Sequence, residues 1–170
     1  MLATVVFDLT IAILLGVGLS VAIFVYRSTN FRLDVSPIDT AKLNDRGISD
    51  AEIYHKAVVC YLTGPVFFGT IDKVREKLSD AHGHDTILLS MRGVPHIDTS
   101  GTEYLYEFVN EAKEKGTNVC LCGLHDSVLQ KLTQGGIIDV IGKENVYWSV
   151  DVALGALPKN LSAQSESTAR

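Results

Sequence analysis

The sequence has few cysteines and no excess of positive charge. Cysteine occurs three times among 170 residues, an odd number, and each cysteine stands inside an apolar run. This pattern argues against a disulfide framework and for reduced, buried thiols, which places the globular part in a reducing compartment. Because the formal net charge is −5, the chain lacks the basic field that neutralises a phosphate backbone, and we expect no nucleic acid partner.

Several patterns that carry catalysis or ligand binding are also missing. The sequence has no Gly-x-Ser-x-Gly elbow and no phosphate-cradling glycine loop followed by a lysine. His82 and His84 stand in one loop, and Cys120 and Cys122 share one face of a predicted strand, but neither pair has a second half at metal-ligand spacing. We therefore expect no catalytic residues, no metal and no cofactor.

What the sequence does contain is a long apolar N-terminus. No residue from Leu9 to Tyr26 is charged, and Arg27 and Arg32 follow closely. About 20 mostly apolar residues are enough to span a bilayer, whereas a secretory signal needs a basic start that this chain lacks. We therefore predict a transmembrane helix over residues 1–27, and the arginines after it place the following residues in the cytoplasm.

Small side chains form a stripe along this predicted span. Asp8, Ala12, Gly16 and Ser20 recur every four residues and would share one helix face. Such a face lets another helix approach closely in lipid, and an acid near a span tends to face protein or the headgroups. The expected neighbours are membrane helices of another polypeptide or of a second copy of the chain.

The rest of the sequence alternates between strand and helix patterns. Residues 28–54 form a polar connector, and a short helix is predicted from Ser49 to Lys56. A globular domain follows over 55–157, and the polar tail 158–170 is expected to be disordered. Strands are predicted at 57–62, 86–91 and 118–124, with amphipathic helices around 71–81, 104–112 and 128–132 and a last helix at 149–157. This alternation predicts an α/β fold.

The turn from Val94 to Glu103 is the strongest candidate for a functional site. Ser100 and Glu103 match a capping box, in which each side chain bonds the other residue's backbone N–H. The alternative is a phosphorylation switch, because free N–H groups and the helix dipole would stabilise a phosphate on Ser100. A serine hydrolase is disfavoured, since His96, the nearest imidazole, lies only four residues before Ser100 across a turn that contains Pro95.

Two motifs resemble those of STAS domains, the fold of bacterial anti-sigma factor antagonists and of the cytoplasmic tails of sulfate permease (SulP) anion transporters. The sequence Ile97-Asp98-Thr99-Ser100-Gly101 is similar to the turn in which antagonists are phosphorylated on the second hydroxyl residue, here Ser100. Leu62-Thr63-Gly64-Pro65-Val66-Phe67-Phe68-Gly69 looks like a segment of the transporter branch. The resemblance implies a STAS-like sheet of four to five strands with packed helices, preceded by one transmembrane helix, with the first strand around 32–35.

The resemblance also implies a function. Residues 1–27 are similar to the last transmembrane helix of SulP proteins, but the many other helices of the transport core are absent from this chain. We therefore expect a regulatory, protein-interaction module, the C-terminal part of a SulP-type transporter that cannot transport by itself. Its expected partners are a transmembrane transport domain and a regulatory protein or kinase acting at Asp98, Thr99, Ser100 and Gly101. The alternative is a signalling protein of the anti-sigma antagonist type.

Overall fold

The structure, a computed structural model, describes residues 2–28, 32–38, 56–81 and 83–157, with the backbone alone for 2–8 and 26–28. The chain separates into two compact units, Met1–Asn30 and Phe31–Arg170. The predicted helix from Ser49 to Lys56 and the tail at 158–170 lie outside the described residues, apart from Lys56 itself.

The first unit is one helix, α1, over Leu2–Ser28. Its described side chains, from Leu9 to Val25, are all exposed. Within the described residues, none of the helices combines the length and the apolar character that a membrane crossing requires. The span over residues 1–27 stays a prediction.

The second unit is built on a five-stranded sheet, which confirms the predicted α/β architecture. The strands follow one another in space in the order β1-β2-β3-β4-β5, and β1 is antiparallel to β2 while the other neighbours are parallel. Parallel neighbours need a crossover, and the amphipathic helices between the strands supply it. The strands are β1 Arg32–Pro37, β2 Ala57–Thr63, β3 Thr86–Gly93, β4 Asn118–Cys122 and β5 Val146–Tyr147.

Helices cover both faces of this sheet. Those after β2 and β3 lie where the predicted stripes place them, and the apolar run at 137–141, whose type the sequence left open, is a short helix. The helices are α2 Ile71–Ser79, α3 Thr99–Glu114, α4 Asp126–Gln134, α5 Ile137–Ile141 and α6 at 150–157.

Alternation along the strands separates two hydrophobic clusters. Val58, Cys60 and Leu62 of β2 belong to the larger cluster, together with buried side chains of α2 to α5. Ala57 and Val59, which point to the opposite face, belong to a smaller cluster with Ala153, Leu154 and Leu157 of α6. Each fully buried aliphatic side chain contributes about 1.5–3 kcal/mol relative to exposure, so both faces of the sheet stabilise the fold.

The strand register determines which segments meet at one end of the sheet. Arg32 at the start of β1 pairs with Thr63 at the end of β2, and Thr63 pairs in turn with Gly93 at the end of β3. The turns that leave β2 and β3 therefore lie side by side, at the end of the sheet where the chain enters β1.

Candidate functional site at the Asp98 turn

Backbone hydrogen bonds join the two turns that follow β2 and β3. The Gly64 N–H donates to the Gly93 carbonyl at 2.8 Å, the Val66 N–H to the His96 carbonyl at 3.0 Å, and the Asp98 N–H to the Val66 carbonyl at 3.1 Å. These bonds continue the parallel pairing beyond the ends of the strands. The two turns thus form one rigid unit, although about thirty residues separate them in the chain.

The Asp98 carboxylate adds a side-chain link to this unit. Its Oδ1 accepts the Gly101 N–H at 2.8 Å, and its Oδ2 accepts the Phe68 N–H at 3.1 Å. The first bond caps the N-terminus of α3, where a carboxylate also interacts favourably with the helix dipole. The second bond holds the turn before α2, so a single side chain fixes both turns.

The predicted capping box of Ser100 and Glu103 is wrong. The N-cap of α3 is Asp98, and the helix begins at Thr99, so Ser100 lies inside the first turn. The Thr102 hydroxyl donates to the Asp98 carbonyl at 2.8 Å, and this carbonyl also accepts the Thr102 N–H. Ser100 is therefore not needed to satisfy the helix end.

Gly101 is required by a close approach between the two turns. A Cβ atom at this position would lie 2.9 Å from the Val66 carbonyl oxygen and 2.9 Å from side-chain carbons of Val66 and Ile97. Backbone cannot move aside as a flexible side chain can. The absence of a side chain at Gly101 is what lets α3 begin directly against the turn that carries Phe68.

An exposed apolar side chain in an acidic surrounding marks the outer surface of this unit. Phe68 is 75% exposed and contacts Phe67 edge to face, with ring centroids 5.6 Å apart. A shallow cavity of about 340 Å³ lies beside it and includes Ser100, which is half-buried. We call this the Phe68 surface; the cavity is lined by Phe68, Ile71, Asp72, Arg75, Ser100, Glu103, Tyr104 and Glu107.

The Phe68 surface also contains a contact between a cation and an aromatic ring. The Arg75 guanidinium lies over the Tyr104 ring, 5.2 Å from its centroid. Burial raises the pKa of Tyr104 to about 12, an effect that Arg75 opposes and that Glu111 and Glu107 reinforce. Tyr104 therefore stays neutral at physiological pH and supports the cation on its face.

The other residues singled out in the sequence do not assemble into sites. Cys120 and Cys122 are buried on the sheet face that α6 covers, and burial raises the pKa of each thiol to about 12. His84 contacts the Ala81 carbonyl, and His82 lies outside the described residues. No group of ligands that could hold a metal ion occurs in the part of the chain that the structure describes.

The stripe on α1 is only partly described. Ala12, Gly16 and Ser20 are exposed, and nothing lies within 4 Å of a Cβ placed on Gly16. The side chain of Asp8 lies outside the described residues. The interpretation of this stripe as a helix-packing face stays a prediction.

Two features of the site were not predicted from the sequence. The bond from the Phe68 amide to Asp98 joins residues thirty positions apart, and the exposure of Phe68 contrasts with the burial of its neighbour Val66. The available signal was Gly64-Pro65, which ends β2 and begins the turn. It predicted a turn without predicting which side chain the turn would expose.

A family profile described as STAS domain matches residues 49–153. Among curated proteins, the chain is 29% identical over 158 residues to "Probable sulfate transporter 4.2" of Arabidopsis thaliana, an alignment that covers 83% of this chain and 23% of that protein. The chain thus spans about a quarter of the length of the curated relatives that it matches.

Solved structures show the same fold. A sulfate transporter family protein from Wolinella succinogenes is 30% identical, with a TM-score of 0.56, over 63% of this chain and 88% of that chain. The murine Solute Carrier 26 family member A9 anion transporter in the inward-facing state is 18% identical, with a TM-score of 0.65, over 86% of this chain and 25% of that chain. Anti-sigma factor antagonists share the fold too, at 13% and 17% identity.

Proposed function

Since the chain belongs to the STAS domain family, we propose that it is the cytoplasmic regulatory module of a SulP-type sulfate or anion transporter and acts by contacting the transmembrane transport domain. Two curated relatives, at 29% and 25% identity, carry the name of a sulfate transporter, and the Wolinella succinogenes structure that of a sulfate transporter family protein. In this proposal the chain provides no transport path, because one helix cannot enclose a polar route through hydrocarbon. It also performs no catalysis.

The observation that carries the proposal is the Phe68 surface. A large apolar side chain that is 75% exposed on a turn fixed by Asp98 has the character of an interface hot spot: it is aromatic, rigidly presented and surrounded by polar groups. Its turn is held in place before any partner arrives, so little conformational entropy is lost on binding.

The charge of this surface favours a partner of a particular kind. Asp72, Glu103 and Glu107 line the cavity beside Phe68, and Arg75, the one cation among the described residues that line it, lies over the Tyr104 ring. Cytoplasmic loops of membrane proteins carry an excess of Lys and Arg. An apolar pocket flanked by such basic residues in a transport domain would complement Phe68 and its acidic rim.

We further propose that α1 is a single transmembrane helix. The support is its extent of 27 residues, which corresponds to about 40 Å at 1.5 Å per residue, and the absence of charge from Leu9 to Tyr26. Ala12, Gly16 and Ser20 would then provide the face that packs against neighbouring helices, with Asp8 at its end.

Alkaline carbonate extraction of membranes tests this helix. The full chain should stay in the membrane pellet, whereas Leu14→Arg together with Leu15→Arg should move most of it to the supernatant, because each charge near the bilayer centre costs about 2.5–3.5 kcal/mol. The control is Lys73→Arg together with Lys77→Arg on α2, which should stay in the pellet. Release of the unmodified chain by carbonate would refute the span while leaving the fold of the second unit untouched.

The alternative function is a phosphorylation-switched signalling protein of the anti-sigma antagonist type. The observation that favours it is the position of Ser100, half-buried in the first turn of α3 and released from capping by Asp98. A phosphate there would add about −1.5 to −2 charges at pH 7 beside the Asp98 carboxylate and the acidic rim. It would therefore repel an acidic partner from the Phe68 surface, and it would disfavour an apolar partner because docking would desolvate the phosphate.

Phosphopeptide mass spectrometry of the chain isolated from cells separates these two functions. The transporter proposal predicts that only a minor fraction of the Ser100 peptide carries phosphate and that the chain copurifies with a transport domain. Stoichiometric phosphate at Ser100, abolished in Ser100→Ala and retained in the neighbouring Thr99→Ala, together with a soluble kinase partner, would establish the signalling function instead.

A further inference from the structure

A second surface lies on the opposite face of the sheet from α2 and α3. α6 covers only part of this face, through Ala153, Leu154 and Leu157. Beside it is a groove of about 920 Å³ whose floor includes Val59 and Leu154. This volume falls within the range of about 300–1,000 Å³ that small-molecule sites occupy. The groove is separate from the Phe68 surface and shares no lining residue with it.

A buried hydroxyl opens into this groove. Ser90, in the middle of β3, is only 9% exposed and lines the groove. Every fully buried polar side-chain atom among the described residues has a hydrogen-bond partner, but the Ser90 hydroxyl, which keeps some access to the groove, bonds no group in the described part of the chain. Because the residue is nine-tenths buried and lines the groove, a ligand in the groove can give its hydroxyl a hydrogen-bond partner.

A cation is held at the mouth of the same groove. Arg92 follows Ser90 by two residues, so both side chains lie on one face of β3. Its Nη2 donates to the Trp148 carbonyl at 2.8 Å, and its guanidinium lies 5.6 Å from the Trp148 ring centroid. These contacts use one of five N–H donors and leave the others for a ligand.

The N-terminus of α6 also lies at this groove. Ser149 caps the helix by accepting the Val152 N–H, and Ser149, Val150 and Asp151 line the groove. A helix N-terminus carries partial positive charge, which together with the Arg92 guanidinium attracts an anion, and Asp151 in the first turn of α6 offsets part of this charge. Asp151 is the only acid lining the groove among the described residues, and it is exposed.

We propose that this groove is a binding site for a small organic anion with an oxyanion head and an apolar body. The head accepts hydrogen bonds from Ser90 and Arg92 beside the start of α6, and the body lies on Val59 and Leu154. Carboxylate and phosphate heads share this chemistry. The site is independent of the Phe68 surface and of any membrane attachment.

Trp148 provides the readout, because it is the single tryptophan of the chain and contacts Arg92 directly. The full chain in detergent is titrated with phenyl phosphate, inorganic phosphate and benzyl alcohol while tryptophan fluorescence is recorded. Phenyl phosphate should give a saturable change, inorganic phosphate a weaker one, and benzyl alcohol none. An absence of saturation with phenyl phosphate, or equal saturation with benzyl alcohol, would overturn the proposal.

Matched variants locate the binding. Ser90→Ala should raise the dissociation constant for phenyl phosphate about fivefold, whereas Ser79→Ala, an exposed serine on α2, should leave it unchanged. Arg92→Gln should raise this dissociation constant about tenfold, whereas Arg75→Gln should leave it unchanged. For these two variants the dissociation constant is measured by calorimetry, because Arg92 contacts the fluorescent Trp148. Arg92 is exposed, so its variant tests the site even if Ser90→Ala disturbs the fold. Unchanged affinity in Arg92→Gln would place the ligand elsewhere.

Discussion

Asp98→Ala should lower the free energy of unfolding by about 2 kcal/mol and weaken partner binding. The variant removes the cap of α3 and so leaves the N–H of buried Gly101 without its acceptor, a loss worth up to about 2 kcal/mol. It also releases the Phe68 N–H, so the turn that carries the exposed ring loses its link to α3. Urea unfolding followed by far-UV circular dichroism measures the first effect.

Asp98→Asn separates the two roles of this side chain. The amide oxygen can still accept the Gly101 N–H, but the amide nitrogen would then face the Phe68 N–H, a donor against a donor. The loss of stability should therefore stay below about 1 kcal/mol while hydrogen exchange of the Phe68 amide accelerates. Equal destabilisation by Asn and Ala, or unchanged exchange at Phe68 in both variants, would show that the carboxylate does not join the turns.

Phe68→Ala should weaken binding to the transport domain by about thirtyfold, the effect of losing about 2 kcal/mol at an interface hot spot. Because the ring is 75% exposed, the free energy of unfolding should change by less than about 0.5 kcal/mol. Ser100→Asp should not weaken the same binding, since it adds a charge of the sign that the proposed basic partner complements. The measurement is recovery of the transport domain with each variant from detergent-solubilised membranes.

The control is Val152→Ala, which removes another exposed apolar side chain, 53% exposed on α6. It lies on the opposite face of the sheet and should leave recovery unchanged. A Phe68→Ala variant that recovers as much transport domain as the unmodified chain would exclude the Phe68 surface as the interface.

The main strands and helices could be predicted because the spacing of their apolar residues indicates which sides of each element are buried. The uninterrupted apolar run that starts at Ala57 is typical of a strand buried on both faces, and β2 has helices over each face. The spacing of Ile71, Val74 and Leu78 is typical of a helix with one buried side, and α2 buries Val74 and Leu78. In both segments local pattern and tertiary packing agree.

The start of α3 could not be predicted in the same way. Asp98 and Ser100 are both good capping residues, and the presence of Glu103 favoured Ser100 on local pattern alone. What favours Asp98 is its second acceptor oxygen, which bonds Phe68 in a distant part of the chain. Gly101, which must pack against Val66, is compatible with a helix that has already begun. The choice of cap thus depends on a tertiary contact that the local sequence does not contain.

The packing of α6 on the second face of the sheet could not be predicted from the sequence either. The apolar residues of α6 predicted a helix, but nothing in them specified that it would pack on Val59 and Leu88 and leave Ser90 beside an open groove. The strand before this helix, β5, is only two residues long. The side of the sheet that the helix covers depends on the path that the chain takes after β5.

Site-specific photo-crosslinking tests the central claim most directly. A benzoylphenylalanine replaces Phe68 in one variant and Val152 in another, and each is irradiated in native membranes. We expect the Phe68 variant to crosslink to a SulP-type transport domain, within one polypeptide or between two, and the Val152 variant to give no such product. Crosslinking of the Phe68 variant to a soluble kinase or anti-sigma factor, or equal yields of the transport-domain product at the two positions, would contradict the account.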